Sequence, residues 1–359
     1  MKLAVQPPLE PMLAKRVDAI PLGEGFLFEP KWDGFRALVF RDGGELFVQS
    51  RDKKSLNRYF PELAAPLLEA LPDRCAVDGE IVIARDGALD FEALQLRIHP
   101  AASRVNMLAE EIPAAVVLWD LICLDDDDLM ATPFERRRAE LERVVRPAPQ
   151  VQITPVTRDR DVAADWFARF EGAGLDGVMA KAADGRYEPK KRTMLKVKHQ
   201  RTVDCVVAGH RWHKNSDPSA PGGGDMVGSL LLGLYDGQGV LHHIGVAASF
   251  SDDKRRQLVA MLAPYRADPA SDHPWKGWQI EDSAQRRPGS TSRWNRGKEL
   301  GFVFLRPELV VEASYDHMQG TRLRHTAHFK RWRPDKPAAA CTYDQLDVVP
   351  PVELRTIFG

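Results

Sequence analysis

The apolar and polar positions fall into two blocks with different rhythms. In the first, residues 35–49 predict a hairpin, with FRALVF and ELFVQS on either side of the turn DGG. CAVDGEIVI (75–83) and AVVLWDLICL (115–124) predict further strands. Thr132-Pro133-Phe134-Glu135 has the form of a capping box with proline at the first helical position, which predicts a helix over 133–145. A second helix, VAADWFARFEGAG, ends on glycines suited to a left-handed cap. DGVMAK and TMLKVK then predict short strands. Hairpin links outnumber helical crossovers, so the expected class is α+β with antiparallel sheets.

The rhythm changes near residue 202. TVDCVVAGHRW, GSLLLGLYD and VLHHIGVA predict three strands, and a helix follows from Ser251. ELVVEASYDHM and LRHTAHFKRW predict two more strands. Three strands, a helix and two strands is the order of an OB barrel. The expected domains are therefore residues 1–201, an OB barrel over 202–345 and a tail over 346–359. A chain of 359 residues has room for two or three domains at about 150 residues each.

Composition changes this picture little. Lys plus Arg total 50 against 51 Asp plus Glu, so net charge identifies no partner. The four cysteines lack metal or disulfide spacing, and the N-terminus breaks at prolines before a signal-type apolar core could form. The expectation is a cytoplasmic, nucleoid-associated protein without a membrane span. Local charge says more. Residues 190–201 and 286–298 carry six and five basic residues without an acid, and 322–336 carries six against one. Interleaving with Trp294, Phe329 and Trp332 suits a polyphosphate or nucleic-acid backbone.

Gly172-Ala-Gly174-Leu-Asp-Gly177 matches a dinucleotide-binding pattern but lies between a helix and a strand, the reverse of the required order. Glu29-Pro30-Lys31-Trp32-Asp33-Gly34-Phe35-Arg36 is more informative, because it has companions along the chain. Ser50-Arg51, Asp78-Gly79-Glu80, Trp119-Asp120, Asp176-Gly177 through Lys181, and Lys196-Val197-Lys198 all fall in or beside predicted strands. Alternation puts Lys196 and Lys198 on one face. If these strands enclose one pocket, Lys31, Lys196, Lys198, Arg36 and Arg51 crowd together. Such crowding favours a neutral, nucleophilic amine and supplies a clamp for a transferring phosphoryl group.

With these motifs in order, and with Arg333-Pro334-Asp335-Lys336 near the end, the chain resembles the covalent nucleotidyltransferases, and among them the ATP-dependent DNA ligases of compact bacterial repair type. The resemblance implies an adenylation domain joined to an OB barrel. It implies that Lys31 attacks ATP to form lysyl-AMP, that AMP passes to a 5′-phosphate, and that a 3′-hydroxyl then seals the nick. It assigns phosphate or ribose contacts to Arg36, Arg51, Lys196 and Lys198, ribose hydroxyls to Glu80, adenine stacking to Trp119 and adenine reading to the backbone at Glu29. Arg333, Asp335 and Lys336 would orient pyrophosphate. Asp176 would bind Mg²⁺, with Mn²⁺ as an alternative. It stands where the family has Glu, so a bridging water is expected; Trp119 stands where the family has Phe. Implied partners are nicked duplex DNA and, by resemblance alone, Ku and a repair polymerase-primase, with the ligase a monomer. An RNA ligase, a capping guanylyltransferase and a non-catalytic OB-fold nucleic-acid binder are the competing readings.

Overall fold

A computed structural model describes residues 1–199, 201–268, 272–276, 301–316, 318–346 and 353. The basic segment 286–298 with Trp294, and most of the tail, lie outside the described residues. The chain forms two units. The first comprises Met1–His199 and includes the described C-terminal residue Glu353; the second comprises Gln200–Val348.

Two main sheets, beside the small hairpin Ala84–Arg85 with Ala88–Leu89, build the first unit. The smaller runs Ala14–Val17, Met194–Val197, Val178–Ala182, Phe26–Pro30. Its first pair is parallel and the others antiparallel. The larger runs Val151–Ile153, Ala115–Leu124, Arg74–Val82, Phe35–Asp42, Glu45–Ser50, with Asp127–Asp128 paired to Ala115–Leu124. Its core holds Val39, Leu67, Val77, Ile81 and Leu118, all fully buried.

The helix expected over 133–145 spans Phe134–Val144, but the capping box does not form. Pro133 is itself the N-cap, with no side-chain cap bond. The free first-turn donor of Glu135 goes to the Ala183 carbonyl at 2.9 Å, and the Glu135 carboxylate pairs with Arg158. A neighbouring loop does the work that the sequence assigned to Thr132. The second helix spans Arg160–Arg169, capped by Asp159, and runs through a 3-10 turn to Gly174 at φ +83°.

The second unit is a closed barrel in the order Arg201–Trp212, Val227–Tyr235, Leu241–Ala248, Ala327–Trp332, Val303–Tyr315. The helix Asp252–Leu262, capped by the Ser251 hydroxyl, lies between the third and fourth strands in sequence. This is OB connectivity. The fourth strand starts at Val303, earlier than the pattern from residue 308 suggests. Pro307 reads as a break, yet the register against Arg201–Trp212 jumps from Leu309 to Phe304, and this irregularity accommodates the proline. Phe329 and Trp332 pack on the barrel core and on each other at 5.4 Å. Among the described residues no helix is long and apolar enough to cross a membrane, and all four cysteines are buried and reduced.

Candidate active site

Strand register explains why these side chains meet. In the smaller sheet Glu29 is paired with Met179, and Met179 with Lys196. Directly paired residues share a face, and so do residues two apart. Glu29 and Lys31, Met179 and Lys181, and Lys196 and Lys198 therefore fall on one side. Lys31 extends the pairing by one step: its N–H donates to the Gly177 carbonyl, and the Asp176 N–H donates to its carbonyl, both at 2.9 Å. Gly177 must be glycine, because its φ is +115° and a Cβ would lie 2.0 Å from the Val197 carbonyl.

In the larger sheet Arg36 is paired with Glu80 and Leu38 with Asp78, so Arg36, Glu80 and Asp78 share a face. Trp119 arrives by another route. Asp78 pairs with Asp120 and Gly79 with Leu118, leaving Trp119 as the extra residue of a bulge. The bulge re-aims the indole into the pocket while Asp120 stays inward on Arg137.

The result is a cavity of about 200 Å³ lined by Glu29, Lys31, Arg36, Arg51, Glu80, Trp119 and Lys196, with Met179, Lys181, Arg192 and Met194 among its other walls. Lys31 Nζ lies 2.6 Å from Asp176 Oδ2, and Lys198 Nζ lies 2.7 Å from the same oxygen. Lys198 is absent from the lining and joins the site through Asp176. The crowding of cations falls on Lys196, whose pKa is lowered by partial burial and then by Lys31 and Lys198. Glu80 accepts the Gly34 N–H at 3.1 Å, and burial pushes its carboxyl up to about 7 against the pull of Arg36 and Lys31.

The surroundings of Arg36 and Trp119 modify their expected roles. The Arg36 guanidinium is already gripped by Asp78, through Nε and Nη2 at 2.5 Å each, which leaves Nη1 without a partner among the described residues. Trp119 is only 9 % exposed and packs with Trp32, Val82 and Phe170, so it is a core residue and a pocket wall together. Arg36 sits over its ring at 4.8 Å and Lys181 at 5.3 Å. Arg51 lies just past Glu45–Ser50, exposed at the rim.

Arg333, Asp335 and Lys336 form their own cluster in the second unit. Arg333 donates to both oxygens of Asp204, at 3.0 and 2.9 Å, and to Asp335; Lys336 reaches Asp204 at 2.9 Å. The run 322–336 is thus less bare than its sequence suggests, since Asp204 and Glu312 supply distant counter-charges. The run 190–201 divides: Lys190 and Lys191 pair with surface acids, whereas Arg192, Lys196 and Lys198 belong to the site.

Sequence reasoning assigns no role to Asp78, Lys181, Arg192 or Asp204. Lys181 stands two residues from Met179, a spacing that is visible in the strand. Asp204 gives no local signal, since its partners lie more than a hundred residues away.

Comparison with known proteins agrees with this architecture. Residues 11–198 match the family described as ATP dependent DNA ligase domain, and residues 223–336 the ATP dependent DNA ligase C terminal region. The chain belongs to the ATP-dependent DNA ligases. It is 55% identical to DNA ligase C2 of Mycolicibacterium smegmatis over 98% of this chain and 97% of that one. It is 51% identical to DNA ligase C of Mycobacterium tuberculosis, covering 97% and 96%. A solved Lig E DNA ligase structure, 16% identical with a TM-score of 0.53, shares the fold over 90% of this chain and 99% of its own.

Proposed function

We propose that this ligase seals 5′-phosphate/3′-hydroxyl nicks in duplex DNA through an adenylate carried on Lys31 Nζ. The observation that carries this reading is the placement of Lys31 at a pocket wall, with Asp176 beneath it and Lys196, Arg36 and Glu80 around it. In the first step the neutral amine attacks the α-phosphorus of ATP, the bond to pyrophosphate breaks, and the proton the amine gives up goes to solvent. The 2.6 Å contact with Asp176 therefore belongs to the resting state, and Asp176 keeps Lys198 as its partner when Lys31 leaves it for the nucleotide. AMP then passes to the 5′-phosphate, and the 3′-hydroxyl displaces it.

Lys196 and Lys198 hold the α-phosphate, and Arg51 with the remaining face of Arg36 meets phosphate or ribose oxygens. Glu80 accepts from the ribose hydroxyls. Trp119 and Met179 flank the purine, and the backbone at Glu29 reads its edge. Arg333, Asp335 and Lys336 act on the pyrophosphate.

No group of three or more metal-binding side chains occurs among the described residues. A magnesium ion would share Asp176 with two ammonium groups, which fits an ion that keeps most of its water and takes one protein oxygen plus phosphates. Bound there it would neutralise charge on the transferring phosphate.

Mass spectrometry after incubation with ATP tests the reading. The protein should gain the mass of AMP, and Lys31→Ala should not, while both seal a pre-adenylated nick. A mass gain in Lys31→Ala would overturn the assignment. Arg333→Ala and Asp335→Ala should slow adenylylation more than sealing of the pre-adenylated nick; equal losses would remove them from the first step.

A further inference from the structure

Behind the pocket wall lies a buried ionic group that none of the adenylylation and sealing steps uses. Arg138, on the helix Phe134–Val144, is 4 % exposed, and three of its nitrogens are engaged in three directions. Nε donates to Glu142 at 2.7 Å, Nη1 to Glu29 Oε1 at 3.2 Å, and Nη2 to the Thr154 carbonyl. The other Glu29 oxygen lies 2.6 Å from Lys181 Nζ. Glu29 and Lys181 are as buried as Arg138, and Lys181 Nζ makes no well-aligned hydrogen bond. The Thr154 hydroxyl accepts the Trp32 indole N–H at 2.7 Å, both groups buried. Arg138 thus holds Glu29, two residues before Lys31, and Thr154, the partner of Trp32, the residue after it.

We infer that Arg138 is a positioning residue for nucleotide capture, acting through Glu29 and Thr154 to keep Lys181 and Trp32 set as pocket walls before ATP arrives. This rests on the reading of the pocket as the ATP site. The charge arrangement gives the reason. Glu29 divides its two oxygens between Arg138 and Lys181. With Arg138 removed, the buried carboxylate has Lys181 as its one close cation and closes both oxygens on it. The ammonium is then drawn off the pocket, where it is a buried donor suited to an acceptor on a purine edge. Arg138 touches neither nucleotide nor Lys31, so its loss acts on capture rather than on the chemical step.

The experiment measures Lys31 adenylylation against ATP concentration, together with sealing of a pre-adenylated nick, in Arg138→Met and Arg138→Lys. In Arg138→Met the half-saturating ATP concentration should rise about tenfold to a hundredfold, the loss of one buried charged hydrogen bond. The maximal adenylylation rate and pre-adenylated sealing should stay within about threefold of wild type. Arg138→Lys, which can reach one acceptor at a time, should fall between. Glu29→Gln combined with Arg138→Met should be less than additive, because the carboxylate that misplaces Lys181 is gone.

Unchanged ATP dependence in Arg138→Met would overturn the inference. So would equal losses in all assays with no recovery in Arg138→Lys, which would make Arg138 a packing residue. If Arg138→Met does not fold, Arg138→Lys decides by the same two criteria. Failure of the underlying reading looks different: Lys31→Ala would then still take up AMP.

Discussion

The nucleotide pocket and the barrel treat buried basic groups in opposite ways. Around the pocket, five cations have a carboxylate at hand: Lys31 and Lys198 on Asp176, Arg36 on Asp78, Lys181 and Arg138 on Glu29. In the barrel, His210 and His243 are 1 % and 6 % exposed, and the charged groups acting on them are themselves cations. Arg266 bears on His210, and Arg322 and Arg211 on His243. Burial pushes these imidazoles down to about 4 and about 3, so both are neutral. A site proposed to handle triphosphate needs permanent positive charge and keeps it with nearby anions. These two histidines in the barrel wall supply bulk and ring contacts, His210 with Trp212 and His243 with Trp275, and stay uncharged.

The comparison breaks most sharply at Asp78. This fully buried carboxylate takes two bonds from Arg36 and one from the Tyr187 hydroxyl at 2.7 Å. Asp78→Ala leaves a cation and a phenol without their acceptor, and should destabilise the first unit by about 3–5 kcal/mol with loss of adenylylation. Replacing Arg36 and Asp78 together by Met and Leu should restore most of the stability, because desolvation offsets much of what such a pair contributes. Activity should not return. Denaturant melts of the single and double variants, with AMP uptake, check both statements. A double variant as unstable as the single one would count against the charge-pairing account.

Acid sharpens the contrast from the other side. An imidazole held below its unfolded value near 6.5 contributes stability that is complete above that value and lost as pH falls toward the folded one. Each histidine should therefore cost the barrel about 2 kcal/mol at about pH 5. Hydrogen exchange at that pH should open Arg201–Trp212 before Arg74–Val82. His210→Leu with His243→Leu should abolish the difference; its persistence would place the acid sensitivity elsewhere.

The pocket is more legible in the sequence than the barrel's charge pairing, for a geometric reason. Lys31, Glu80, Asp176, Lys196 and Lys198 lie in or beside predicted strands; alternation puts Lys196 and Lys198 on one face, and the order of the motifs along the chain, through the family resemblance, brings in the rest. Trp119 also comes to the pocket, though through a bulge that no alternation rule foresees. Arg138 is hidden in the run ERRRAELERVV, because three adjacent arginines on a helix look alike until the packing is known. Arg137 and Arg138 turn inward to Asp120 and Glu29, while Arg136 is exposed. Asp204 joins Arg333 across the strand Val303–Tyr315, and counting charge within a window does not find it.

The smallest expected effect concerns the one pocket carboxylate that resembles the barrel histidines. Glu80 has Arg36 and Lys31 nearby, yet burial outweighs them and its carboxyl sits near 7 rather than 4.5. Between those values the folded chain holds a proton that the unfolded chain releases, so stability falls as pH rises through the window and the deficit is complete above it. Glu80→Gln should therefore stabilise the nucleotide-free protein at about pH 8 by on the order of 1 kcal/mol, allowing for solvent at the pocket mouth, with no gain near pH 4.5. The same change should raise the ATP needed for adenylylation about tenfold or more, because an amide accepts ribose hydroxyls less well than a carboxylate. In the wild type that requirement should ease from about pH 6 to 8 as Glu80 ionises, and in Glu80→Gln it should be flat over this range. Thermal melts and adenylylation at matched pH read the two effects separately. A variant that loses stability at high pH would mean that the ionised carboxylate is held by its neighbours after all, and Glu80 would join the paired charges of the pocket.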